Sequence, residues 1–116
     1  MKHISPNRKF HRKKGQRKAL FKSLSENLIL KEKMETTEAK AKEARSRVEK
    51  MITLGKKQNL ASFRLLVSRV GKKSAEKVYY ELAPRYKDKR GGFTRITKSA
   101  VQRKKDGAKL AIVEFV

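Results

Sequence analysis

The sequence predicts an α+β fold: about four helices packed on a small sheet with a C-terminal hairpin, plus an extended basic N-terminal arm. Three observations lead there. Apolar residues recur at helical spacing through most of the chain up to Pro84. Beyond Pro84 the pattern changes, and two β-branched and aromatic segments, residues 93–97 and 110–116, read as strands. Helices come first and strands after, which suits segregated layers better than alternating α/β units. The 116 residues are enough for one compact domain, assigned to residues 15–116, with residues 1–14 as the arm.

Each element follows from its residues. Pro6 and Asn7 break regular structure in the arm, and Lys2, Arg8, Lys9, Arg12, Lys13 and Lys14 repel one another. Phe10 is free there to stack on a base or fill an apolar notch. A first helix runs from about Gln16 to Leu30 on Leu20, Leu24 and Leu28, with Phe21 beside them. Residues 33–36 carry only a low strand signal. Thr37 is a natural N-cap for a second helix, which ends near Leu54 with Gly55 suited to a left-handed C-terminal position. Its Glu38–Lys42 and Glu43–Arg47 spacings are favourable i,i+4 pairs. Asn59 caps a third helix carrying Leu60, Phe63, Leu66, Val67 and Val70, which Gly71 can end. Ser74 caps a fourth with Ala75, Val78, Tyr79 and Leu82, and Pro84 marks its end. Tyr79 and Tyr80 are assigned to the core or its rim. A basic loop with Gly91-Gly92 leads to the first strand. The connection over residues 98–109 contains Asp106-Gly107, a good turn pair.

Charge says most about function. Thirty-three Lys and Arg against eleven Asp and Glu give a formal charge of +22, far beyond the magnitude of about 2–8 at which a small soluble domain is comfortable. The excess is uneven: +9 over residues 1–25, zero over 26–49, +6 over 50–84 and +7 over 85–116. The two ends are expected to face a polyanion, and the balanced stretch to face water or protein. A basic side at the start of the first helix opposes the macrodipole, a local cost that a bound phosphate offsets.

Catalysis has no anchor in this chain. With no Cys there is no disulfide framework, thiolate metal site or thiol nucleophile. His3 and His11 both lie in the arm, where nothing holds a general base or a metal ligand in place. No Walker A sequence, Rossmann fingerprint or nucleophile elbow occurs. No cofactor and no metal are expected. No apolar run approaches membrane-spanning length, and no signal-peptide core is present. The basic groups have a direct use. Arg forks two hydrogen bonds onto a phosphate whereas Lys acts as a point charge, so Arg8, Arg12, Arg17, Arg85, Arg90 and Arg95 are the candidates for fixed geometry.

The stretches Met1-Lys2-His3, Arg17-Lys18-Ala19-Leu20, Glu35-Thr36-Thr37 with Ala39-Lys40-Ala41-Lys42-Glu43, and Ile52-Thr53-Leu54 occur in this order. They are followed by Glu81-Leu82-Ala83-Pro84-Arg85-Tyr86, by Gly91-Gly92-Phe93-Thr94-Arg95-Ile96, and by Ala111-Ile112-Val113-Glu114. In these the chain resembles the bacterial large-subunit ribosomal protein L-seventeen family along essentially its whole length. It departs from the family pattern at Ile4-Ser5-Pro6-Asn7, at Gly15-Gln16, at Phe93 where Tyr is common, and at Lys104-Lys105-Asp106-Gly107.

The resemblance implies a one-copy, non-enzymatic, cytoplasmic component of the ribosome. It would bind large-subunit ribosomal RNA, neighbour other large-subunit proteins near the outer region of the polypeptide exit tunnel, and form no homo-oligomer. The expected RNA contacts are Lys2, His3, Arg8, Lys9, Arg12, Lys13, Lys14, Arg17 and Lys18 at one end. At the other they are Arg85, Tyr86, Arg90, Arg95, Lys98, Arg103 and Lys104. A DNA-bending protein would share the charge but not these stretches. An RNA-processing enzyme would need acids or histidines in a fixed cluster. A membrane-surface protein would need a large apolar face with Trp or Phe.

Overall fold

The computed structural model describes residues 10–116. The chain runs α1 (Lys14–Lys31), β1 (Lys33–Thr37), α2 (Glu38–Gly55), α3 (Leu60–Val70) and α4 (Lys72–Lys77). A π-helical turn (Val78–Leu82) and α5 (Ala83–Arg85) follow without a break, then β2 (Thr94–Gln102) and β3 (Lys109–Phe115). The α+β class is as expected, with helices on one side of a small antiparallel sheet.

The second helix organises the core. It touches α1, α3, the π turn and all three strands. Ala41, Ala44, Val48, Met51 and Ile52 form its buried stripe, facing Phe21, Leu24, Leu28 and Ile29 of α1 and Leu66 and Val70 of α3. Thr37 caps α2 as anticipated, its Oγ1 accepting from Lys40 N at 3.4 Å, and Asn59 caps α3 through Ser62 N at 2.8 Å. The two i,i+4 pairs form, Lys42 to Glu38 at 3.2 Å and Arg47 to Glu43 at 3.6 Å.

Three details of the helices differ from expectation. Gly55 is the last residue of α2 and not a left-handed cap; the left-handed residue after this helix is Gln58, at φ 52°. Gly55 is needed for closeness: a Cβ there would stand 3.0 Å from Val78 Cγ1 and 3.4 Å from Ala83 Cβ. Ser74 does not cap the fourth helix, which starts at Lys72 behind Gly71 (φ 86°) and leaves Ser74 buried inside it. Pro84 does not stop the helix either. The proline ring would crowd the carbonyl four residues back, and the wider π turn relieves this, with Ala83 N–H bonding Val78 O instead.

The sheet has the order β1-β3-β2, both pairings antiparallel. Residues 33–37, weak as a strand on their own, pair in full register with β3 from Lys33↔Glu114 to Thr37↔Leu110. Glu32, at φ 63°, turns the chain from α1 into β1, and its carbonyl accepts from Phe115 N at 3.1 Å. The other strand is longer than expected. It continues past Thr97 to Gln102, with a register irregularity between Lys98 and Gln102. The Asp106-Gly107 turn forms as expected, with Gly107 at φ 66° and its N–H bonded to Arg103 O at 2.8 Å.

Glu49 ties sheet to helix. One carboxylate oxygen accepts from both Thr94 N (3.0 Å) and Thr94 Oγ1 (2.8 Å), and Thr94 is buried. Glu49→Ala leaves two buried donors unsatisfied. It is expected to cost about 1.5–3 kcal/mol, read as a lower midpoint in urea denaturation.

Candidate nucleic-acid interface

The N-terminal candidates enter the described structure at Phe10; Lys2, His3, Arg8 and Lys9 lie outside the described residues. Phe10 fills an apolar notch, its ring edge-on to Phe21 with centroids 5.8 Å apart. Arg12 donates to Phe10 O at 2.9 Å and Arg17 to Arg12 O at 3.0 Å, so these two arginines fasten the root of the arm to α1. Lys13 N–H bonds Gln16 Oε1 at 3.3 Å. Lys13, Lys14 and Lys18 are exposed at the start of α1, whose first turn holds no acid. Their charge adds to the positive end of the helix dipole, so the field there favours an anion.

The C-terminal candidates fall into two groups. In the first, an acid holds the cationic head in place. Arg85 forks onto Glu32 at 2.5 and 3.4 Å, and Lys77 joins the same carboxylate at 3.1 Å. Arg95 Nε donates to Glu114 at 2.9 Å, in a cross-strand row that Lys33 completes at 4.0 Å. Arg103 Nε meets Asp106 at 2.9 Å, and Lys98 lies 3.8 Å from Glu38. In the second group, Arg90 in the basic loop and Lys104 at the hairpin turn are simply exposed. Tyr86 sits elsewhere. It is buried, stacked on Phe115 and tilted against Phe93, and its hydroxyl donates to Val116 O at 2.6 Å. Its ring therefore anchors the root of the basic loop.

These ion pairs shift titrations. The Arg85 fork, with Lys77 beside it, lowers the Glu32 carboxyl to about 2, and the Arg85 guanidinium is correspondingly raised. Arg103 and then the Ala108 N–H lower Asp106 to about 2. Lys42, then Lys98, lower Glu38. For Glu32 the folded value lies below the unfolded 4.5, so its contribution is complete above that value and disappears as pH falls through about 2. Glu32 is about a third exposed, so screening reduces the pair to roughly 1 kcal/mol or less. Glu32→Gln should therefore lower stability by that amount at neutral pH, and the gap to the natural protein should close near pH 2 in denaturant titrations.

Sequence reading missed one feature. A groove of about 970 Å³ runs between α1 and α2, with residues of α3 at its border. Lys42, Arg47 and Lys50 line it, although Lys42 and Arg47 belong to the stretch whose net charge is zero. Helical spacing was the available signal, since residues 43, 47 and 50 recur on one face of α2. Among the described residues no cluster of His, Asp and Glu suits a metal ion, and no helix is long and apolar enough to cross a membrane.

Comparison with known proteins agrees with this basic, site-poor surface. The family model for ribosomal protein L17 matches residues 20–116. The chain is 48% identical to the large ribosomal subunit protein bL17 of Sulfurihydrogenibium sp. (strain YO3AOP1), covering 100% of this chain and 97% of that protein. It is 47% identical to the bL17 of Persephonella marina (100% and 95% covered) and 46% to that of Sphingopyxis alaskensis (100% and 84%). A chain matched from end to end at nearly half its positions, with the family model spanning its folded body, belongs to the ribosomal protein L17 family.

Proposed function

We propose that this chain is a structural constituent of the large ribosomal subunit, working in the cytoplasm as one copy per subunit. It binds large-subunit ribosomal RNA and so supports subunit assembly and translation. The observation that carries the reading is an excess charge of +22 in a chain whose full-length relatives are large-subunit proteins. The arm and the basic region over residues 85–109 grip the RNA. Arg85, Arg95 and Arg103 are held at set positions by their acids while keeping donors for phosphate oxygens. Arg90, Lys98 and Lys104 add charge, and Tyr86 positions the loop. Ordering the arm costs conformational entropy, which phosphate contacts offset. Neighbouring large-subunit proteins and a place near the outer exit tunnel follow from the family resemblance.

Co-sedimentation tests the reading. The protein should stay with large subunits through a high-salt wash and release duplex DNA at much lower salt. Loss from ribosomes at the salt that releases DNA would mark a general polyanion binder instead.

A further inference from the structure

The groove between α1 and α2 is held open by the core beneath it. Phe21, Leu24 and Leu28 of α1 and Ala44, Val48 and Met51 of α2 belong to one buried cluster. On that base Lys18 and Lys22 of α1 share the groove with Lys42, Arg47 and Lys50 of α2, and α3 contributes Arg69. Glu43 is the one carboxylate lining it among the described residues. Lys42 and Arg47 are partly offset by Glu38 and Glu43 on the same helix, and the remaining like charges repel one another at a cost in free energy. Arg47 is fixed as well as charged, its guanidinium lying 3.8 Å above the Phe21 ring. Two buried side-chain polar atoms in the described residues find no hydrogen-bond partner, Ser25 Oγ and Arg47 Nε, and both residues line this groove. Buried donors are normally satisfied, so these two mark the groove wall as the place in the described core where polar groups are left over. The arm does not neutralise the groove, because residues 1–14 carry no acid. Its root does meet the groove, since Phe10 packs on the Phe21 that lines it.

We propose that this groove is a second seat for the RNA sugar–phosphate backbone, adjoining Phe10 at the start of the described chain, with Lys22, Arg47 and Lys50 as its principal contacts. The inference rests on the ribosomal reading above and adds a face to which the charge-balanced stretch contributes Lys42 and Arg47. The RNA backbone runs between α1 and α2, where lysines neutralise phosphates and Arg47 donates in a fixed direction.

The test uses full-length protein and purified large-subunit ribosomal RNA, with binding measured across a range of salt. Lys22→Glu with Lys50→Glu is compared with Lys72→Glu plus Lys73→Glu, two exposed lysines outside the groove that change net charge equally. The groove pair should flatten the dependence of log K on log salt by roughly 1.5, costing about tenfold in affinity at low salt. The control pair should cost less than about threefold, by the loss of long-range attraction alone. Thermal unfolding should show both folded; Lys22→Gln with Lys50→Gln replaces the groove pair if charge reversal unfolds it. Equal losses in groove and control variants would reduce the groove to bulk charge and overturn the proposal. Undiminished RNA binding with failed entry into subunits would assign the groove to an acidic protein segment and overturn it too. If the natural protein itself ignored the RNA, the ribosomal reading would fall, and the groove with it.

Discussion

Replacing Phe93 with alanine is expected to destabilise the protein by about 3–5 kcal/mol, a large share of the roughly 5–15 kcal/mol that holds a domain together. Phe93 is 1% exposed and is among the largest fully buried side chains. It closes the sheet end of the core. Its ring lies 5.2 Å from that of Tyr86, Lys56 Nζ sits 5.2 Å over its face, and its carbonyl accepts from Val116 N at 3.0 Å. Lys56 also donates to Lys89 O, so the basic loop is tied down at the same place. Alanine would remove the ring that both Tyr86 and Lys56 lean on. Chemical denaturation should show the stability loss, and amide exchange should quicken first over residues 87–93. Phe93→Tyr tests whether the site admits a hydroxyl.

Deleting residues 1–9 should leave the folded body intact and flatten its response to salt. The truncated chain keeps Phe10 on Phe21 and the Arg12 and Arg17 contacts at the start of α1. Thermal stability should therefore change by less than about 0.5 kcal/mol. The deletion removes Lys2, Arg8 and Lys9. At about 0.7–0.9 in slope per phosphate contact, three lost contacts reduce the salt slope by roughly 2–3. Between 50 and 200 mM salt the natural protein should then lose about 30-fold more affinity for ribosomal RNA than the truncated one. Equal slopes would make the arm a passive tail.

The helices were legible because their signal is local. Leu24 and Leu28, or Leu66 and Val70, are spaced for one face, and the caps at Thr37 and Asn59 are single residues with single partners. The strand β1 was faint because its partner is β3, at the far end of the sequence, and pairing made it a strand where propensity did not. The π turn before Pro84 answers a crowding problem that arises only once the helix continues through the proline. Tyr86 was expected as an RNA contact on the family resemblance. Its burial depends on Phe93, Phe115 and the Val116 carbonyl, which only the closed fold brings together.

The groove was hidden by averaging. Over residues 26–49 six acids cancel six bases in sequence, but the fold sends some of those acids to partners elsewhere in the chain. Glu32 goes to Arg85 and Lys77, and Glu49 to Thr94. Glu38 takes Lys98 along with Lys42, while Lys42 and Arg47 border the groove. Net charge along a helix says little about either of its faces.

The most direct measurement is crosslinking in intact cells, followed by sequencing of the attached RNA and mapping of the attached peptides. The account predicts reads concentrated in large-subunit ribosomal RNA, joined to peptides from residues 1–22, 42–50 and 85–109. Reads spread over messenger RNA, or peptides drawn evenly from the whole surface, would contradict it.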